Sequence, residues 1–172
     1  DDCTEDGWRA VLSNYDFHNL RVLICDDSLQ IRLLLKNFLT GFGFRDIIET
    51  NDAEMAYAEL VENDPDLVIT DWNLATTEGT ELVRQIRLSP DSPNPYVPII
   101  MLTGYTEIER VVVARDSGVS SFLAKPVSAN ALYKRLVSLV EDKRLFVRTD
   151  DFIGPDRRFK KKGHPEGPER RH

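Results

Sequence analysis

The chain has 172 residues, 41% of them hydrophobic and 30% charged, and a formal net charge of -7. That length suits one ordinary domain with some excess at the ends, and the apolar content is enough for a packed core. The longest purely apolar runs, such as Val111-Val112-Val113-Ala114, are too short to span a bilayer, so no segment of this sequence is expected to cross one.

The chain begins Asp1-Asp2-Cys3, without a charged-then-apolar leader, so no secretory signal is expected. A start other than Met points to a processed or longer N-terminus. Residues 1–18 read as an N-terminal extension in which Trp8, Tyr15 and Phe17 suggest a short helix packing on the body or on a partner. The run Leu20–Cys25 is almost continuously apolar and reads as a strand covered on both faces. Cys25 within it is expected to be a reduced, buried thiol. With only Cys3 beside it there is no disulfide framework, and a reducing cytoplasm fits best. His18, His164 and His172 show no metal-ligand spacing.

Ser28 is the expected N-cap of the first helix, where Ile31, Leu34, Leu35, Phe38 and Leu39 form one apolar stripe. Gly41 and Gly43 are expected to stop it. A second strand covers Asp46–Thr50, and Asn51 with Glu54 makes a capping-box-like start to a second helix that runs to about Glu62. Asn63-Asp64-Pro65 punctuates its end. The third strand, Leu67–Thr70, terminates at Asp71, with Trp72 expected as a partly exposed flank. A third helix is built on Leu82, Val83 and Ile86, and the proline-rich segment Ser89–Pro98 is an irregular loop.

The fourth strand, Ile99–Leu102, ends at Thr103-Gly104. Thr106 and Glu109 make a capping box for a fourth helix containing Ile108, Val111 and Val112. A fifth strand, Ser121–Ala124, ends at Lys125-Pro126, and Ser128 caps a last helix carrying Leu132, Leu136, Leu139 and Val140. Residues 143–172 hold ten Lys/Arg against five Asp/Glu, whereas the preceding 142 residues hold twelve against twenty-four, so an acidic body carries a basic tail. In the tail Gly154-Pro155-Asp156-Arg157-Arg158 recurs as Gly167-Pro168-Glu169-Arg170-Arg171, around the run Arg157-Arg158-Phe159-Lys160-Lys161-Lys162.

Five successive βα units predict a parallel α/β sheet with helices on both faces. In such open sheets ligands sit at the carboxyl ends of the strands. Those ends carry Asp26-Asp27, Asp71, Thr103 and Lys125. Three gathered carboxylates repel one another and raise their pKa values, a penalty that a bound cation removes. An all-oxygen donor set with room for water suits Mg²⁺. A lysine opposite would face an anionic ligand, and a carboxylate beside a metal, a lysine and a hydroxyl is arranged for in-line attack on phosphorus.

The ordered set Asp26-Asp27, Asp71, Thr103 and Lys125-Pro126, each element at the end of an expected strand, resembles the receiver domains of two-component response regulators, of the chemotaxis-receiver type. The resemblance covers residues 19–142, with 143–172 left as a basic, flexible tail. It implies a flavodoxin-like, doubly wound five-stranded parallel sheet of order 2-1-3-4-5 with five helices. By the same resemblance Asp71 is the phospho-acceptor, and Asp27 binds the metal directly with Asp26 acting beside it. Asn73 contributes its backbone carbonyl to the Mg²⁺ (or Mn²⁺) site. Thr103 is the switch hydroxyl, Lys125 pairs with the phosphoryl group, Pro126 follows a cis bond and Phe122 is the aromatic that tracks the switch. The segment after the acceptor departs from the family pattern, with Leu74 where methionine is common and Ala75 where proline is usual.

The function implied is that of a phospho-accepting switch, catalysing only its own phosphorylation and dephosphorylation. Its donor would be a sensor histidine kinase or a phosphotransfer protein. Phosphorylation would repack the face of the fourth helix, fifth strand and fifth helix, around Val111, Phe122 and Tyr133, for a downstream protein partner, with a homodimer as a further option. A membrane partner is not expected, and an acidic body without a groove-reading motif argues against nucleic acid. Two other readings stay open: a receiver-like binding module independent of phosphate, and a phosphohydrolase using Asp71. The second lacks the Asp-x-Asp pattern after the first strand. Asn73 and Tyr105 occupy the positions that tune phosphoryl lifetime in the family, and Tyr105 is expected to slow hydrolysis. For the tail, a solvated chain, an arm for an acidic partner or neighbouring subunit, and nucleic-acid binding are three readings.

Overall fold

A computed structural model describes residues 15–104 and 118–141, and the backbone of 146–148 and 153–155. Five strands, β1 (Arg21–Cys25), β2 (Asp46–Thr50), β3 (Leu67–Asp71), β4 (Ile99–Thr103) and β5 (Ser121–Ala124), form one sheet in the order β2-β1-β3-β4-β5. All four pairings are parallel. The helices among the described residues are α1 (Leu29–Phe42), α2 (Ala53–Asn63), α3 (Gly79–Leu88) and α4 (Ala129–Glu141). The expected helix containing Ile108, Val111 and Val112 lies outside the described residues, as do Tyr105, residues 1–14 and most of the tail. Four helices are therefore described where five were expected.

The architecture follows from which residues need covering. β3 and β4 are buried along their whole length, which a parallel sheet achieves only with helices on both faces. One face holds Leu23, Val68, Trp72 and Met101 against Ala56 and Leu60 of α2 and Leu82, Val83 and Ile86 of α3. The other holds Val22, Ile24, Ile69, Ile100 and Leu102 against Leu35 and Leu39 of α1 and Leu132 and Leu136 of α4.

Local signals set the helix ends. The Ser28 hydroxyl accepts from Ile31 N–H, and the Ser128 hydroxyl accepts from Ala131 N–H. Gly43, at φ 107°, closes α1 in the left-handed region, whereas Gly41 lies inside the helix rather than ending it. The cap of α2 is Asp52, not Asn51: its carboxylate accepts from Met55 N–H at 2.8 Å.

The N-terminal segment contributes to the core. Phe17 is buried and stacks on Phe44 with ring centroids 4.9 Å apart, and Tyr133 meets its edge. The Tyr15 hydroxyl donates to the Glu141 carboxylate. Tyr133 is itself buried, also touching Phe42. It therefore packs toward α1 and the N-terminal segment, not on an open output face as the sequence suggests. In the tail, β6 (Phe146–Arg148) and β7 (Ile153–Pro155) pair antiparallel as a separate two-stranded element. Among the described residues no helix is long and apolar enough to cross a membrane. Cys25 is free and buried, and burial pushes its thiol up to about 11.

Candidate functional site

Parallel register brings the strand ends to one edge of the sheet. Cys25 is opposite Thr50 and Thr70, Asp71 is opposite Leu102, and Thr103 is opposite Ala124. The residues that follow each strand therefore converge: Asp26-Asp27 after β1, Asp71 closing β3, Thr103 closing β4 and Lys125 after β5. Oxygens of Asp26, Asp27 and Asp71 lie within 4.8 Å of one another. Lys125 Nζ stands 2.8 Å from Asp71 Oδ1 and 3.8 Å from Asp26 Oδ2. The sequence-expected acids and lysine are thus together, with Thr103 buried at the neighbouring strand end.

The carboxylates differ in environment. Asp26 is fully buried; its Oδ1 accepts from Ser28 N–H at 2.8 Å, while Oδ2 has no hydrogen-bond partner. Burial pushes its carboxyl up to about 6, with the Ser28 bond pulling the other way and Asp71 adding repulsion. Burial likewise raises Asp71, opposed by its bond to Lys125. Asp27 is exposed at the mouth. A buried carboxylate oxygen without a hydrogen bond, beside two further carboxylates, suits a hard divalent cation, and this donor set fits Mg²⁺ or Mn²⁺. Asp26, Asp27 and Asp71 would hold it.

The loop after Asp71 is closed despite Ala75. Leu74 N–H donates to Thr77 O, and Asn73 and Glu78 form an isolated antiparallel bridge. Gly79 N–H donates to Trp72 O at 2.6 Å. A Cβ at Gly79 would lie 3.1 Å from the Asp71 carbonyl carbon and overlap its oxygen, so only glycine lets α3 start directly against the Asp71 backbone. Nothing local in the sequence marks this role of Gly79.

Trp72 is 1% exposed, so the expected partly exposed flank is wrong: the loop folds its indole inward beneath α3, where Nε1 finds no hydrogen-bond partner. Phe122 is half-buried and packs against the same core. Lys125-Pro126 is a cis bond, and Lys125 N–H donates to Thr103 O at 2.8 Å. Arg87, also missed, is 1% exposed. It donates to the carbonyls of Gly118, Pro95 and Val97, joining the proline-rich loop to the segment before β5. Its place four residues after Val83 on the apolar face of α3 was a readable signal.

Comparison with known proteins agrees with this geometry. The family model described as the response regulator receiver domain matches residues 22–137. Chemotaxis protein CheY-3 of Vibrio cholerae is 32% identical over 123 residues, covering 72% of this chain and 93% of that protein. Chemotaxis protein CheY1 of Helicobacter pylori is 33% identical over 118 residues, covering 68% and 94%. The solved structure of chemotaxis response regulator CheY4 of Vibrio cholerae matches with TM-score 0.64 and 28% identity, covering 70% of this chain and 98% of that one. That of the receiver domain of NtrX from Brucella abortus matches with TM-score 0.62 and 27% identity, covering 70% and 99%. The chain belongs to the response regulator receiver domain family, whose members are signalling proteins and not classical enzymes.

Proposed function

We propose that Asp71 is the phospho-acceptor of a two-component signalling switch, loaded from the phosphohistidine of a sensor kinase or phosphotransfer protein. The observation that carries this reading is the ammonium of Lys125 at 2.8 Å from Asp71 Oδ1, with the three carboxylates clustered beside it. A bound Mg²⁺ or Mn²⁺ would supply charge neutralisation for the incoming phosphoryl oxygens.

In the transfer, an Asp71 carboxylate oxygen forms the new O–P bond as the donor's N–P bond breaks. The donor imidazole leaves with the electron pair and takes up a proton. Lys125 exchanges part of its bond to Asp71 for a phosphoryl oxygen, and the Thr103 hydroxyl donates to another. The phosphoryl group adds about -1.5 to -2 charges and three acceptors at this strand edge. Drawing Thr103 inward moves the segment after β4 and biases Phe122, altering the surface that a downstream protein reads. Hydrolysis by water returns Asp71 to the carboxylate, so the chemistry is confined to the chain's own modification. A cytoplasmic setting goes with a cytoplasmic donor.

Beryllofluoride, a phosphoryl analogue, tests this reading through Trp72 emission in a Trp8→Phe background. With Mg²⁺ the emission is expected to change saturably, and not at all in Asp71→Asn. A silent wild type would favour the phosphate-independent binding module instead.

A further inference from the structure

We infer that the groove between α2 and α3 is a docking site for the basic run Arg157–Lys162 of the same chain. The groove has a volume of about 630 Å³ and lies on the opposite face of the sheet from α1 and α4. Its floor is apolar, with Ala53 and Leu82 buried and Tyr57 and Leu88 half-buried. Its walls are acidic: Glu54 on α2 and Glu81 on α3 are both exposed and face into it. Asp91 stands at the same wall, accepting from Tyr57 Oη at 2.6 Å and from Ser89 Oγ at 2.5 Å. Those bonds hold the Asp91 carboxyl below its ordinary range and keep it charged. Two acids, Glu54 and Glu81, thus line the groove against one base, Arg84, with Asp91 bonded to the lining residues Tyr57 and Ser89 beside it.

The tail is delivered to this place. The backbone of β7, ending at Pro155, passes within 8 Å, Cα to Cα, of α3. The next seven residues, Asp156-Arg157-Arg158-Phe159-Lys160-Lys161-Lys162, carry five positive charges against one negative. Extended, they reach up to about 23 Å. A ten-residue helix such as α3 is about 15 Å long, so the segment covers the groove from end to end. Phe159 is the one apolar side chain in the run and matches the apolar floor, while its basic neighbours match the acidic walls. Tethering makes the encounter intramolecular, at an effective concentration of order millimolar, so modest contacts suffice. One end of the groove is formed by Thr76 and Thr77, in the loop that follows Asp71. The docked tail would therefore lie on the flank of the acceptor loop, where a partner peptide binding the groove must displace it.

Disulfide trapping in the full chain tests this, with Cys3→Ser leaving only the buried Cys25. Gln85→Cys, on the exposed groove side of α3, is paired with Gly163→Cys, which leaves Arg157–Lys162 intact. Leu33→Cys, 48% exposed on α1, is paired with Gly163→Cys as the reference. Under mild oxidation at low salt, the groove pair is expected to close within monomers roughly ten-fold faster than the reference pair. The advantage should shrink in high salt and on adding Glu54→Lys with Glu81→Lys. Equal rates for the two pairs, an advantage unmoved by charge reversal, or predominantly dimeric products would each overturn the proposal; the last would assign the groove to a second copy.

Discussion

Replacing Asp26 with asparagine should stabilise the metal-free protein at neutral pH, although it removes a carboxylate from the candidate metal site. The folded-state pKa of Asp26 is raised to about 6 from 3.8, chiefly by burial. A raised acid costs folding free energy once it must ionise: the protein is unburdened below pH 3.8, loses stability as pH climbs through the window to about 6, and carries the full penalty above it. Two pKa units correspond to about 3 kcal/mol, and asparagine, which keeps an acceptor for Ser28 N–H, does not pay it. Part of that figure is shared with Asp71 and Lys125, so about 2 kcal/mol is the working expectation. With urea slopes of about 1–3 kcal/mol/M, the midpoint should rise by roughly 1 M at pH 7 in chelator, and the gain should vanish by pH 4. Adding Mg²⁺ should raise the midpoint of wild type and leave Asp26→Asn nearly unmoved. If Asp26→Asn is less stable than wild type at pH 7 in chelator, the account of Asp26 as a strained, cation-awaiting carboxylate is wrong.

Gly79→Ala should cost about 1–3 kcal/mol, because the added methyl overlaps the Asp71 carbonyl, and should slow phosphorylation more than its stability loss explains; equal kinetics in a folded variant would refute the close-approach argument. Arg87→Met should cost about 3–5 kcal/mol in urea unfolding, since the carbonyls of Pro95, Val97 and Gly118 lose a shared donor. Arg87→Lys should recover little of that loss, because one ammonium cannot span three carbonyls; full recovery would mean that charge alone matters. Phe17→Ala should cost about 3–5 kcal/mol, the usual range for a buried phenylalanine, although Phe17 precedes the family-matched residues 22–137. A neutral result would show that residues 15–18 are an appendage and not core.

Much of the fold was legible because its signals are redundant. Apolar runs such as Leu67–Thr70 mark strands buried on both faces, and each ends at a residue that the parallel register must carry to the same edge. Asp26, Asp27, Asp71, Thr103 and Lys125 could therefore be grouped from strand ends alone. What escaped depends on tertiary closure. Trp72 lies just beyond its strand, and nothing local says that the loop will turn it under α3. Gly79 needs no positive φ; its requirement is the proximity of the Asp71 carbonyl, which becomes visible only once the chain has folded back. Arg87 reads as a surface charge until its neighbours on the helix face are counted. Tyr133 lies in an ordinary helical stripe, and the N-terminal aromatics that cover it lie more than a hundred residues away.

The most direct test of the central claim is phosphotransfer from a phosphohistidine donor in the presence of Mg²⁺, with the acyl phosphate reduced by borohydride and its position mapped by mass spectrometry. The account predicts stoichiometric label on Asp71, removed by chelator and by Asp71→Asn, and strongly slowed by Lys125→Ala. Label that persists at wild-type level in Asp71→Asn, or that maps to another residue, would contradict it.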